Sequence, residues 1–180
     1  LTTTFNPKRI FLLGFMGSGK SYIGKKLSER MSMPFSDLDD IIEKGEDTKI
    51  SAIFETSGEK QFRLLEKKYL HTYAMIDHAL IATGGGTPCF FDNMEWMNKH
   101  GVTIYLKASS KLLAQRLLAE RSHRPLLSNL NDQSLLDFIR IKLEERASYY
   151  EQASVIVEQT KNDETIIEEL YQNFSSITGH

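Results

Sequence analysis

The sequence offers almost nothing for covalent stapling: its 180 residues contain one cysteine, Cys89. An internal disulfide is therefore impossible, which excludes the bridged scaffolds of small secreted domains and suits a reducing compartment. Net charge is equally scarce, because 22 Lys and Arg against 24 Asp and Glu leave −2. That balance argues against a general nucleic-acid or acidic-membrane binder, while leaving room for a local basic pocket that takes a small anion. No apolar run approaches the ~20 residues of a membrane span, and Leu1-Thr2-Thr3-Thr4 lacks the basic and apolar regions of a signal peptide. A cytoplasmic location is the expectation. Only four prolines occur, and Pro34 and Pro88 punctuate junctions between elements. With no repeat or low-complexity block, 41% hydrophobic and 26% charged residues describe one ordinary globular domain over residues 1–180.

What the chain does have is an alternation of strand-like and helix-like segments. Arg9 to Leu13 reads as a short buried strand, followed by a glycine-rich loop and a helical pattern to about Arg30. A second strand is expected over Phe35 to Asp37, leading into a charged helical segment. A further helix is expected from about Gly58 to Tyr73, with Phe62, Leu65 and Tyr69 on one apolar face. His78 to Thr83 and Val102 to Leu106 read as strands. Ser109 or Ser110 is placed to cap a helix through Leu112, Leu113 and Leu117. Gln133 to Glu151 reads as helix, Ser154 to Glu158 as a short strand, and Asp163 to Phe174 as a terminal helix. This order predicts an α/β fold, an open and mostly parallel sheet covered by helices on both sides.

The loop Gly14-Phe15-Met16-Gly17-Ser18-Gly19-Lys20-Ser21 carries the sharpest chemistry. Glycines let a nest of backbone N–H groups close around phosphate oxygens, and the following helix N-terminus reinforces the anion site. Lys20 is placed to reach the phosphates being separated, and Ser21 to offer a small oxygen ligand to Mg2+. Phe15 and Met16 read as packing or spacer side chains, and Gly24 as a close-packing position within the helix.

The remaining polar residues admit bland and functional readings. Asp37 and Asp39, two apart on an extended strand end, point toward one mouth, where one suits hydrated Mg2+ and the other a substrate hydroxyl. An ordinary polar junction explains them equally well, with Asp40 as a cap or surface acid. Glu59 and Arg63 are spaced for a same-face ion pair. If the fold brings Arg63 near Arg146, the two guanidinium groups can clamp a carboxylate. Gly84-Gly85-Gly86 either allows a substrate close to the backbone or forms a tight turn. The polar segment from Glu120 to Asp132, with Arg121, His123 and Arg124, reads as a lid or a solvated loop. His71, His78 and His100 lack partners at metal-site spacing and read as structural or surface residues.

Taken jointly, these motifs resemble the shikimate kinase family over about Arg9 to Phe174. The resemblance rests on Gly14 through Ser21, Asp37-Leu38-Asp39, Gly58-Glu59 with Phe62-Arg63, Gly84-Gly85-Gly86, Arg124-Pro125-Leu126-Leu127, and Arg146 before Tyr150. Two segments depart from the family pattern, Thr87-Pro88-Cys89 and Ser148-Tyr149-Tyr150. The resemblance implies a P-loop kinase architecture related to nucleoside-monophosphate kinases, with a substrate-binding helical region over 38–74 and a lid over 117–132. It implies transfer from ATP to the 3-hydroxyl of shikimate, giving 3-phosphoshikimate and ADP on the route to chorismate. By the same resemblance Gly14, Gly17, Ser18, Gly19, Lys20 and Ser21 hold the nucleotide, Arg116 packs near adenine, and Asp37 supports Mg2+ through water. Asp39 binds the acceptor hydroxyl as a general base, Arg63 and Arg146 hold the carboxylate beside Gly84, Gly85 and Gly86, and Arg124 enters from the lid to stabilise transfer with Lys20. Shikimate and ATP are the only partners implied, with neither nucleic acid nor membrane, and the chain is expected to be a monomer. Another small-metabolite kinase, such as a gluconate kinase, or a nucleotide-binding module without transfer activity are the competing readings.

Overall fold

The computed structural model describes residues 8–119 and 131–175. The elements run β1 (Arg9–Leu13), α1 (Lys20–Met31), β2 (Phe35–Asp37), α2 (Leu38–Glu46), α3 (Ile50–Thr72), β3 (Ala79–Ala82), α4 (Asn93–His100), β4 (Val102–Lys107), α5 (Ser110–Ala119), α6 (Asp132–Tyr150), β5 (Val155–Glu158) and α7 (Asp163–Ser175), with short 3₁₀ turns at Tyr73–Met75 and Thr87–Cys89. The five strands pair in the order β2-β3-β1-β4-β5. Every pairing is parallel, as expected when each strand returns through a helix.

β1 is buried at all five positions because helices cover both faces of the central strand. Alternation then divides its side chains. Ile10 and Leu12 join Ile23 and Leu27 of α1 with Ile166, Ile167 and Leu170 of α7. Phe11 and Leu13 join Leu38 and Ile42 of α2, Phe62 and Leu65 of α3, and Met94 and Met97 of α4. A third cluster joins Phe15 to Leu113 and Leu117 of α5 and to Leu135 and Ile139 of α6. Truncating a fully buried member such as Leu27 to Ala should cost about 2–5 kcal/mol. Gly24 behaves as the expected packing position: a Cβ there would lie 2.6 Å from the Phe35 ring and 2.8 Å from a Leu12 methyl.

Three departures from the expected elements have local causes. The helical run begins at Ile50, and Gly58 interrupts it with φ 76 and ψ 173. That left-handed backbone favours glycine and makes Gly58 a kink between two helical pieces. His78, expected to open a strand, has φ 55, and β3 starts one residue later. α4 was not expected: it is only eight residues long, although Asp92 before it, Glu95 in its first turn, Lys99 and His100 in its last and Gly101 after it mark its ends. Ser109 does cap α5, its Oγ accepting from the Leu112 N–H at 3.2 Å. Because the strands run parallel, the loops after β1, β2 and β3 meet at one edge of the sheet, where open α/β folds place their ligands.

Candidate active site

The loop between β1 and α1 has the glycine geometry its sequence requires. Gly14, Gly17 and Gly19 have φ of 147, 80 and 83. A Cβ at Gly14 would fall 2.7 Å from Ser18 Oγ and 3.0 Å from the Leu106 carbonyl. Gly19 is the N-cap of α1 and supplies no side-chain cap, leaving first-turn N–H groups of that helix for an anion. Lys20 Nζ reaches back across the loop to the carbonyls of Gly14 at 2.8 Å and Phe15 at 3.0 Å. Phe15 is buried in the third core cluster, as its packing role requires, and Met16 packs against the same cluster while also lining the adjoining cleft.

That cleft, about 510 Å³, is lined on one side by Gly17, Gly19, Lys20 and Ser21, and on the other by Asp37, Asp39, Gly84 and Gly85. Gly14 and Ser18 lie behind this surface; the Ser18 side chain is fully buried and turned away from it. Asp37 and Asp39 do share the mouth, but strand alternation is not the reason. β2 ends at Asp37, which is the N-cap of α2, its Oδ1 accepting from the Asp39 N–H at 3.1 Å. Asp39 is therefore a first-turn helix residue. Asp40, next to it, is exposed. The other oxygen of Asp37 accepts from Ser21 Oγ at 2.6 Å, which joins the hydroxyl of the phosphate loop to the carboxylate of the strand end.

Asp39 is the electrostatically unusual group. Burial, then the nearby carboxylates of Asp37 and Glu66, push its pKa from 3.8 up to about 6, with Lys20 pulling the other way. Its Oδ1 is buried without a hydrogen-bond partner. A Cβ at Gly84 would sit 3.1 Å from this oxygen and 2.7 Å from Glu66 Oε1, so the first glycine of the triplet must stay a glycine for both carboxylates to remain in place.

At the far end of the triplet the two arginines approach consecutive residues. A Cβ on Gly85 would lie 3.4 Å from Arg146 Nη1, and one on Gly86 2.6 Å from Arg63 Nη1. The fold thus brings Arg63 and Arg146 to one loop. Arg63, Arg146 and Gly86 border the cleft and do not line it. Arg63 forms the expected pair with Glu59 at 2.8 Å and a second pair with Glu66 at 2.6 Å, and its guanidinium lies 4.2 Å over the Phe90 ring. Glu66 is wholly buried; Thr87 Oγ1 donates to it at 2.5 Å. Burial raises the Glu66 pKa while Arg63 and Thr87 act against that rise. Tyr150 Oη and Arg146 Nη1 both donate to the Gly85 carbonyl, at 2.5 and 3.3 Å. Cys89 lies nearby with its thiol pushed up to about 11 by burial, the arginines 146 and 63 pulling it down and Glu66 up. It is a poor nucleophile there.

Arg116 sits against the phosphate loop. It donates to the Gly17 carbonyl at 3.3 Å, to Gln159 Oε1 at 2.8 Å and to Asp163 Oδ1 at 2.9 Å. Arg124 and most of the lid expected over 117–132 lie outside the described residues. Glu66, Thr87, Gln159 and Asp163 were not singled out by motif. Glu66 had a signal in its spacing three residues after Arg63. The others meet the site only through turns that local patterns do not encode. Among the histidines, His71 and His100 stack on either side of the Trp96 indole, at 4.5 and 4.1 Å between centroids.

The sequence profile of the shikimate kinase family matches residues 16–175. A shikimate kinase of Bacteroides fragilis is 43% identical over 167 residues, which cover 90% of this chain and 93% of the relative. The crystal structure of shikimate kinase from Bacteroides thetaiotaomicron superposes with a TM-score of 0.88 at 38% identity, covering 94% of this chain and 99% of that one. Shikimate kinase from Acinetobacter baumannii, solved in complex with shikimate, gives 0.82 at 30% identity over 94% and 93% of the two chains. A phosphate cradle, a buried acid and an arginine-flanked glycine loop thus occur within an α/β frame that is shared over nearly its whole length with known relatives, and the chain belongs to the shikimate kinase family, the P-loop kinases that phosphorylate shikimate to 3-phosphoshikimate with ATP.

Proposed function

We propose that the cleft holds both substrates of this reaction, ATP on the phosphate loop and shikimate against the glycine triplet, with Asp39 between them. The observation that carries the reading is the half-buried Asp39 carboxylate, its Oδ1 buried and unpartnered and its pKa raised to about 6, in the same cleft as Lys20. A carboxylate so placed accepts a hydroxyl proton near neutral pH more readily than an ordinary aspartate. Asp39 takes the proton of the 3-hydroxyl as that oxygen bonds to the γ-phosphorus, and the bond to the bridging oxygen of ADP breaks. Lys20 leaves the Gly14 and Phe15 carbonyls for the phosphate oxygens, and together with Arg124 meets the charge that develops in transfer.

The hard oxygen donors Ser21 and Asp37, already bonded to each other, fit Mg2+ held by few protein groups and otherwise by water and phosphate. Bound there, Mg2+ neutralises phosphate charge. Gly14, Gly17, Ser18 and Gly19 shape the cradle, and Arg116 sits where adenine packs. Arg63 and Arg146 grip the shikimate carboxylate next to Gly84, Gly85 and Gly86, and Glu66 keeps Arg63 aimed. Residues 38–74 form the acceptor-binding region and 117–132 the lid of one domain, acting as a cytoplasmic monomer. No described helix is long and apolar enough to cross a membrane.

The test is a coupled ADP-release assay with shikimate, a neutral ring analogue lacking the carboxylate, gluconate and nucleoside monophosphates at matched ATP and Mg2+. Preference for shikimate is expected. Equal use of shikimate and the neutral analogue would sink the arginine clamp, and preference for gluconate or a nucleotide would overturn the acceptor assignment.

A further inference from the structure

The residue following β5, Gln159, is buried at 8% exposure and belongs to none of the roles above. Its backbone N–H donates to the Lys107 carbonyl at 2.8 Å, extending the β4–β5 pairing and fixing the root of the side chain. From that fixed point the amide bridges two parts of the nucleotide end. Nε2 donates to the Ser18 carbonyl at 2.6 Å, and Oε1 accepts from Arg116 Nη1 at 2.8 Å. Arg116 Nη1 also donates to the neighbouring Gly17 carbonyl. Two successive carbonyls of the phosphate loop are therefore held from the same side.

Peptide planarity gives this tether a consequence. In a trans peptide the C=O and the next N–H point in opposite directions, so holding the Ser18 carbonyl toward Gln159 aims the Gly19 N–H away from it. Gly19 lines the cleft. Its φ of 83 lies in the left-handed region that glycine enters without a Cβ penalty, so at Gly19 the loop has no side chain of its own to oppose a flip. A flipped peptide would turn a carbonyl dipole, not an N–H, toward the anion.

We propose that Gln159 is a positioning residue for the phosphate cradle: by holding the Ser18 carbonyl outward it keeps the Gly19 N–H directed at the nucleotide's phosphates. The proposal rests on the nucleotide-binding reading of the cleft, and ADP binding by the wild-type protein tests that reading separately, before any variant.

Gln159→Met preserves length and burial and removes both polar contacts. It is expected to weaken binding of ADP with Mg2+, read by calorimetry, roughly five- to tenfold, the scale of one lost buried hydrogen bond. Shikimate affinity should stay within about twofold, since the acceptor end shares no contact with Gln159. The same factor is expected when Gln159→Met is made in an Arg116→Ala background. Unchanged ADP affinity, or an equal loss of shikimate affinity, would overturn the proposal; so would a loss that vanishes without Arg116, because Gln159 would then act only by holding that side chain. A measurement that needs no variant is the scalar coupling across the hydrogen bond from the Gln159 side-chain nitrogen to the Ser18 carbonyl carbon, in labelled wild-type protein with ADP bound. The coupling is expected, and its absence overturns the role.

Discussion

The donor and acceptor ends of the cleft are built on opposite plans. The donor end comes largely from one contiguous stretch, Gly14 to Ser21, whose charged and metal-facing side chains already have partners, Lys20 on two carbonyls and Ser21 on Asp37, with Arg116 of α5 on three acceptors beside it, while Ser18 Oγ is buried without a partner. The acceptor end draws on the β2–α2 junction, α3, the loop after β3 and α6, and it holds charge that the fold does not neutralise. Glu66 is buried but paired with Arg63, whereas Asp39 keeps an oxygen with no partner. A phosphate site can be assembled from backbone N–H groups, which need only glycine and a helix end. A site that removes a proton needs a carboxylate made reactive by burial, and the protein is less stable for holding it ionised.

Breaking the donor end at Lys20 should have the largest effect. Lys20→Ala is expected to lower kcat roughly 10³-fold, on the scale of a lost transition-state donor, with little change in thermal stability. Near-normal turnover at saturating substrates would remove Lys20 from the transition state. Breaking the acceptor end at Asp39 should lower turnover on the order of 10²-fold or more for Asp39→Asn while ADP binding persists. The wild-type rate should fall as pH drops through about 6, where Asp39 takes up its proton. A rate flat from pH 5 to 8 would contradict that.

Next come the arginines. Arg63→Lys and Arg146→Lys should each raise the shikimate KM by about 10- to 100-fold, because one ammonium cannot reproduce a planar fork, with the ATP KM preserved. A shift in the ATP KM instead would mean these residues serve the donor end. Smallest is Tyr150→Phe, which removes one hydroxyl from the Gly85 carbonyl. It should cost about 1 kcal/mol in denaturant unfolding; no loss would show that Arg146 alone suffices there.

The same contrast explains what the sequence made legible. The phosphate loop was readable because its function depends on near neighbours, and the strand before it and helix after it follow from Arg9–Leu13 and the pattern to about Arg30, one residue short of the observed end at Met31. The acceptor residues were legible chiefly through family resemblance, since nothing local says that Arg63 and Arg146 reach adjacent glycines. Asp37 and Asp39 were placed together for the wrong reason: alternation on a strand was expected, and a strand-to-helix cap delivers them. Gln159 carried no pattern, because its partner at Ser18 is 141 residues away. The kink at Gly58 was half-visible, as a helix start and not as a break within a longer run.

The claim that the acceptor end stores an uncompensated carboxylate is tested most directly by the unfolding free energy of Asp39→Asn against wild type from pH 4 to 8. The folded pKa of about 6 lies above the ordinary 3.8. The wild-type fold therefore binds the proton that the unfolded chain has released, and between these values it gains stability as pH falls. Above pH 6 the variant should be more stable by on the order of 3 kcal/mol, one pKa unit being about 1.4 kcal/mol, and the advantage should shrink toward zero near pH 4. A variant equal to or less stable than wild type at pH 8 would contradict the account.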